Sequence, residues 1–225
     1  MGKVGNRVRL NIERPPRDLV EKFREASPPD LAGAMNHTGG MRDIYPMYTP
    51  IPKCVGTAIT VKVQPGDALM VMEAQEIAQP GDVIVVDGRG VVTRSLWGGN
   101  RSILGARKGQ AGAIIDGACR DTHESKAANF PVFARAICPM GSDHSQTGEL
   151  NYPIACGGVV VNPGDIIVAD EQGIVVIPWQ DAEDVYAAWL KLMERERAKQ
   201  ASSAAGKQVG PNLEQKLRDL GCEIN

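Results

Sequence analysis

The sequence predicts an α/β fold built around one principal domain, and three observations predict it. β-branched runs alternate with helix-period segments through the middle of the chain. Pro-Gly-Asp turns recur at 65–67, 80–82 and 163–165, the last two leading straight into such runs. Hydrophobic residues make up 43% of 225 positions, enough to bury a sizeable core.

Residues 1–17 mix Gly, Arg and Pro without a sustained period and read as an arm. From Asp18, the apolar positions Leu19, Val20, Phe23 and Ala26 fall at helical spacing. Ser27-Pro28-Pro29-Asp30 ends that helix and opens a second through Leu31, Ala34 and Met35. Thr38-Gly39-Gly40 breaks the pattern, and the Pro-rich stretch 45–53 should run extended. The segments PGDVIVVDGRGVV and PGDIIVADEQGIVV read as one strand-turn-strand unit used twice, a likeness that convergent turn chemistry explains as well as duplication does. Between them, a helix over 100–108, a strand over 113–117, a helix over 122–129 and a strand over 131–134 imply a sheet flanked by helices. Val185, Ala188, Trp189, Leu192 and Met193 mark a long amphipathic helix ending in a charged run at 194–199. Residues 201–206 read as a small-residue linker and 213–220 as a short terminal helix, so the expected division is arm 1–17, domain 18–200, and linker with tail 201–225.

Twenty-five basic against 27 acidic residues leave a formal charge of −2, which gives no reason to expect a nucleic-acid partner. The five cysteines are scattered and form no CxxC pair, which fits neither a disulfide framework nor a zinc site and points to reduced thiols in a cytoplasm. No apolar run approaches the roughly 18 residues of a membrane span.

Chemistry concentrates in two neighbouring segments. Gly98 and Gly99 precede the helix that opens with Asn100, Arg101 and Ser102, where free backbone N–H groups and the helix dipole favour an anion such as a small carboxylate. The segment matches neither GxGxxG nor GxxxxGK[ST], and a plain loop-to-helix junction explains it equally. Downstream, IIDGACRD places Arg120 and Asp121 at the end of a buried strand, where α/β folds bind ligands. Arg120 offers a planar fork to a carboxylate or enolate, and Asp121 offers hard oxygens to Mg²⁺. An ordinary salt bridge, or a helix N-cap by Asp121, is the competing account of that pair. His37, His123 and His144 lack the spacing of a metal pair, and Asp87 and Asp116, at strand ends, face either the cleft or turn hydrogen bonds.

The stretch GGNRSILGARKGQAGAIIDGACRD resembles the signature of the RraA-like family, and the likeness continues through PVFAR at 131–135, CGGV at 156–159 and PGDIIVADEQGIVVIP, covering roughly residues 18–200. That family holds 4-hydroxy-4-methyl-2-oxoglutarate and 4-carboxy-4-hydroxy-2-oxoadipate aldolases, which also decarboxylate oxaloacetate, and a regulator of ribonuclease E. The resemblance implies a layered α/β/β/α single domain and a homotrimer or dimer of trimers with clefts between subunits. It implies that Arg120 holds a 2-oxo acid and Asp121 a divalent metal, Mg²⁺ or Mn²⁺. The family pattern places an Asp, then twenty intervening residues, before the Arg-Asp pair; here that position is Gly99. Asn100 beside it can hydrogen-bond water but cannot act as a base near neutral pH. His123, two residues after Asp121, is the candidate for the missing proton transfer, although an exposed helix histidine is the plainer account. Glu194 or Glu196 is the candidate for a carboxylate contributed from a neighbouring subunit, against the plainer account of an exposed charged face. The expected activity is a pyruvate-forming aldolase or oxaloacetate decarboxylase. The alternatives are another lyase or hydratase on a sugar acid or dicarboxylate, and a non-catalytic ribonuclease regulator. A methyltransferase is not indicated, because no glycine-rich strand-to-helix loop is followed by an acidic ribose ligand.

Overall fold

The computed structural model describes residues 3–206 and 212–224; the first two residues of the arm, positions 207–211 of the tail, and residue 225 lie outside it. The arm begins with β1 (Arg7–Val8) and leads to α1 (Arg17–Glu21), which tightens into a 3₁₀ turn at Lys22–Glu25. Ser27 then caps α2 (Pro28–Ala34): its hydroxyl accepts from Asp30 N at 3.3 Å, and prolines occupy the first helical positions, where no N–H is needed. After β2 (Tyr45–Pro46) come β3 (Cys54–Lys62), α3 (Leu69–Ile77), β4 (Asp82–Trp97), α4 (Gly99–Arg107), β5 (Gly112–Cys119), α5 (Thr122–Ala127) and β6 (Val132–Ile137). Short strands β7 (Glu149–Leu150), β8 (Ile154–Cys156) and β9 (Val159–Val161) precede the hairpin of β10 (Ile166–Asp170) and β11 (Gly173–Ile177), and α6 (Ala182–Ala204) and α7 (Leu213–Asp219) close the chain.

β3, β4, β5 and β6 lie side by side in parallel, extended by β7 and β1 beyond β3 and by β2 beyond β6. β3 also pairs antiparallel with β10, so the sheet branches into a second layer formed by β10 and β11. The strand period of two distributes the side chains among three cores. Ile84 and Val86 of β4, with Ala113 and Ile115 of β5, face α3, Trp97 and Phe130. Val83, Val85, Ile114 and Phe133 face the opposite way, onto Ile167, Ala169, Ile174 and Val176 of the second layer. The outer sides of that layer, Ile166, Val168, Val175 and Ile177, pack on Leu19, Val20, Phe23, Leu31 and Trp189 of α1, α2, their connection and α6. Three cores between four layers is the α/β/β/α arrangement.

Four features depart from the sequence reading. The PGDIIVADEQGIVV segment is a strand-turn-strand hairpin, but PGDVIVVDGRGVV is one long irregular strand whose two halves both pair with β5. A Cβ at Gly88 would lie 2.6 Å from Asp116 O and from Leu96 Cδ1, so the backbone there passes too close to β5 to turn away from it. Helix α3 and strand β3 lie between the predicted elements; the run CVGTAITVK carries the β-branched signal of β3. Residues 201–204 continue α6 rather than forming a linker. The arm is strapped to its own domain: β1 pairs with β7, Arg14 makes a two-pronged ion pair with Asp82, and Arg7 and Arg9 lie over the Tyr152 ring at 3.8 and 4.0 Å.

One connection matters for the site. The loop from β6 to β7 is pinned by buried Asp67, whose carboxylate accepts from the backbone N–H of Leu69, Ser145 and Gln146 at 2.9, 2.7 and 2.9 Å. Burial alone would raise this carboxyl, but the three donors and the neighbouring His144 outweigh it and hold it below the ordinary aspartate value. A depressed folded-state value means the stabilisation is complete above the unfolded value near 4 and disappears as pH falls through the folded one. Asp67→Asn should therefore cost about 2 kcal/mol at pH 7 and progressively less as pH is lowered below the unfolded value, measured by urea unfolding; an equal loss at every pH would show that the charge is not what anchors the loop.

Candidate active site

The C-terminal ends of β4 and β5 and the first turn of α4 meet the β6–β7 loop around a cavity of about 340 Å³, a size suited to a small organic acid. The meeting is fixed from below. Trp97, the last residue of β4, stacks on Phe130 with centroids 5.8 Å apart and donates from Nε1 to Ser102 Oγ at 2.9 Å. Ser102 Oγ lies 2.8 Å from Ser125 Oγ, which in turn sits 3.3 Å from Asp121 O. This buried chain ties the end of β4 to the openings of α4 and α5.

Arg120 and Asp121 follow β5 directly. Asp121 adopts a left-handed backbone (φ 55°) at the N-terminus of α5, a conformation uncommon outside glycine and typical of tightly determined functional positions. Its carboxylate does not cap α5; Oδ2 accepts from Gly99 N at 3.3 Å and lies 3.4 Å from Arg120 Nε. Both side chains remain open, 45% exposed for Arg120 and 43% for Asp121. Gly98 closes against them, since a Cβ there would meet Asp121 Oδ2 at 2.9 Å and Arg120 Nε at 3.4 Å. At Gly99 a Cβ would come within 2.6 Å of Glu124 Cβ and 3.1 Å of Asp121 Cβ. A side chain at this position is blocked by the closeness of α4 to α5, which is the physical reason for a glycine here.

Of the other residues singled out in the sequence, Asn100 and Arg101 line the cavity with Gly98, whereas Ser102 is fully buried in the hydrogen-bond chain and supports the site from beneath. Burial lowers the Arg101 guanidinium from its ordinary value, and no carboxylate pairs with it among the described residues. His123 is exposed on α5 and does not line the cavity. Asp116 is taken up by Arg135 Nε and by Gly157 N at 2.8 Å; Asp87 accepts from Arg89 N at 3.0 Å, and burial raises its carboxyl. Both make structural contacts away from the cavity. Glu194 and Glu196 lie on α6, where Glu196 pairs with Lys199, and neither lines the cavity.

Sequence reasoning missed the rest of the lining. Met72, Leu96, Trp97 and Leu104 contribute an apolar wall, and Ser95, Gly141, Ser142 and His144 complete the polar side. Gln75, nearly fully buried on α3, donates to Arg101 O at 2.7 Å and so holds the first turn of α4 in place. No local motif marks the β6–β7 residues; they reach the cleft because contacts distant in sequence hold their loop, Asp67 with Ser145 N and Gln146 N, Ser95 N with Met140 O at 2.8 Å, and Asp143 N with Gly66 O at 2.9 Å. Among the described residues, no three His, Cys, Asp or Glu side chains are grouped to hold a metal. A divalent ion at this site would therefore take Asp121 as its protein ligand and fill its shell with water and substrate oxygens, the usual manner of Mg²⁺. Asp121 Oδ1, which has no hydrogen-bond partner among the described residues, fits that role.

A family model described as RraA-like, Aldolase/RraA, matches residues 28–176. A protein of Halalkalibacterium halodurans named as a candidate 4-hydroxy-4-methyl-2-oxoglutarate aldolase is 37% identical over 190 residues, covering 84% of this chain and 86% of that protein. The Thermus thermophilus 4-hydroxy-4-methyl-2-oxoglutarate aldolase is 33% identical over 151 residues, 63% of this chain and 92% of that one. Among solved structures, Streptomyces coelicolor RraAS2, described as an unusual member of the RNase ES inhibitor RraA family, superposes with a TM-score of 0.76 at 25% identity, covering 84% of this chain and 99% of that chain. An uncharacterized Pseudomonas syringae protein gives 0.79 at 26% identity, with 88% and 93% covered. With the family model matched across most of its domain, the chain belongs to the RraA-like family.

Proposed function

We propose that the protein is a divalent-metal-dependent carbon–carbon lyase that releases pyruvate from a small 2-oxo di- or tricarboxylic acid. The observation that carries the reading is the open cavity where Arg120 and Asp121 stand side by side, with Asp121 held in a left-handed backbone and Arg101 facing the same space. The aldolase names of the relatives support it.

In this reading Arg120 takes the carboxylate and 2-oxo end of the substrate and stabilises the enolate charge as the bond breaks. Arg101, a second cation without a carboxylate partner, takes the distal carboxylate. The wall of Met72, Leu96 and Leu104 makes one side of the cavity apolar, which strengthens charge contacts made against it. An Mg²⁺ or Mn²⁺ ion bound at Asp121 would supply further positive charge at the 2-oxo oxygen. The likeness to RraAS2 favours a ribonuclease-regulating role as second reading, but such a role leaves the cavity and its paired charges without a use.

Purified protein should release pyruvate from oxaloacetate or from 4-hydroxy-4-methyl-2-oxoglutarate with Mg²⁺ or Mn²⁺ and lose that activity in chelator, followed by a coupled pyruvate assay. If no 2-oxo acid in a broad panel yields pyruvate with either metal, the lyase reading is wrong. Arg120→Ala should lower kcat/KM by about 10²–10³, the loss typical of one oxyanion donor. Arg101→Gln should mainly raise KM for dicarboxylates, with little change for a monocarboxylate analogue. Gly99→Asp should destabilise the fold by about 1–3 kcal/mol through overpacking against Glu124, read from the shift in urea midpoint, and should not increase turnover.

A further inference from the structure

The cavity contains four ionisable side chains among the described residues: Arg101, Arg120, Asp121 and His144. The two guanidiniums stay protonated in any accessible pH range. The Asp121 carboxylate is engaged by Gly99 N and the Arg120 guanidinium, an anion's surroundings. Imidazole is the side chain whose ordinary titration lies near neutrality, so it can both take and return a proton in one turnover. His144 is held for that task. Its Nε2 lies 3.3 Å from Ser142 Oγ, and both residues line the cavity. The residues flanking it are fixed by backbone contacts: Ser145 N to Asp67, Asp143 N to Gly66 O at 2.9 Å, and Asp143 O to Ala68 N at 2.8 Å. Gly141, at the start of the same loop, lies against Arg120, where an added Cβ would be 3.2 Å from Nη1. The loop thus brings an imidazole to the lining of the cavity that Arg120 also lines.

We propose that His144, hydrogen-bonded to Ser142, is the proton-transfer residue of the cleft for 4-hydroxy-2-oxo acids. The inference rests on the lyase reading. His144 accepts the proton of the substrate's 4-hydroxyl while the C3–C4 bond breaks; the bond's electron pair passes into the pyruvate enolate, and C4 becomes a carbonyl. The imidazolium then returns the proton to C3, giving pyruvate and the second carbonyl product with no net gain or loss of atoms or electrons. Decarboxylation of oxaloacetate releases CO2 and leaves the enolate without a hydroxyl proton to remove, so there His144 takes a proton from solvent and serves only to pass it to C3.

The two substrates therefore separate a catalytic role from a structural one. His144→Gln should lower kcat for a 4-hydroxy-2-oxo acid by about 10²–10⁴ with KM changed little, while oxaloacetate decarboxylation falls by no more than about tenfold. His144→Asn should behave in the same way, and both variants should lose little stability, since the side chain is exposed and the three backbone donors to Asp67 remain. Equal losses on both substrates, or turnover unchanged on both, would overturn the assignment and leave the lyase reading standing. Wild-type protein that turns over neither substrate would overturn both.

Discussion

The site depends on one buried hydrogen-bond chain, Trp97 Nε1 to Ser102 Oγ to Ser125 Oγ to Asp121 O. Each link joins a different element: the end of β4, the first turns of α4 and α5, and the residue that follows β5. Polar groups this deeply buried are costly unless satisfied, and here each satisfies the next. The consequence is geometric. The left-handed backbone at Asp121, unfavourable by itself, is enforced because its carbonyl is engaged by both Ser125 Oγ and Ser125 N. The carboxylate then projects upward beside Arg120 instead of folding back to cap α5.

That constraint organises the charges above it. The openings of α4 and α5 are brought so close that glycine is needed at 99, and its backbone N–H points at Asp121 Oδ2. Two guanidiniums face a cavity with one wall of Met72, Leu96, Trp97 and Leu104. In such partly dry surroundings a fixed cation acts more strongly on a developing anion than it would in water, and it needs no rearrangement when the charge appears. The arm, strapped across β7 through Arg7 and Glu149, and the anchor at Asp67 hold the opposite rim from the far side of β3.

Much of this was legible in the sequence, and the limits follow from distance along the chain. Arg120, Asp121, Gly98 and Arg101, which line the cavity, are legible because they occupy contiguous motifs beside a strand of recognisable β-branched pattern. Ser102 was found for the wrong reason: it opens α4 as read, but its hydroxyl points down into packing, which the period of a first turn does not reveal. His123 was chosen for nearness in sequence to Asp121, yet α5 carries it outward. His144 and Ser142 come from a loop more than twenty residues farther on, and their placement depends on Asp67, more than seventy residues earlier. No local spacing encodes such a contact. The paired PGD segments illustrate the same limit, for equal turn chemistry gives a hairpin in one and a bulged single strand in the other, decided by whether a neighbouring strand can accept both halves.

The glycine at 99 also bears on how a cleft can exchange one chemical group for another. A carboxylate at position 99 would have to enter between α4 and Glu124 of α5, where 2.6 Å to the nearest carbon leaves no room. Moving α5 away would loosen the serine chain and release the backbone conformation that aims Asp121. The two demands conflict, so position 99 has no place for a proton-handling side chain, and such a group has to come from elsewhere in the lining. The β6–β7 loop meets that condition: it touches Arg120 through a glycine, it is held from the ends of β4 and β5 and by Asp67 before α3, and it contributes no link to the serine chain beneath. A rigid base carrying the charges and a separately anchored rim carrying the variable group is the division of labour this geometry permits.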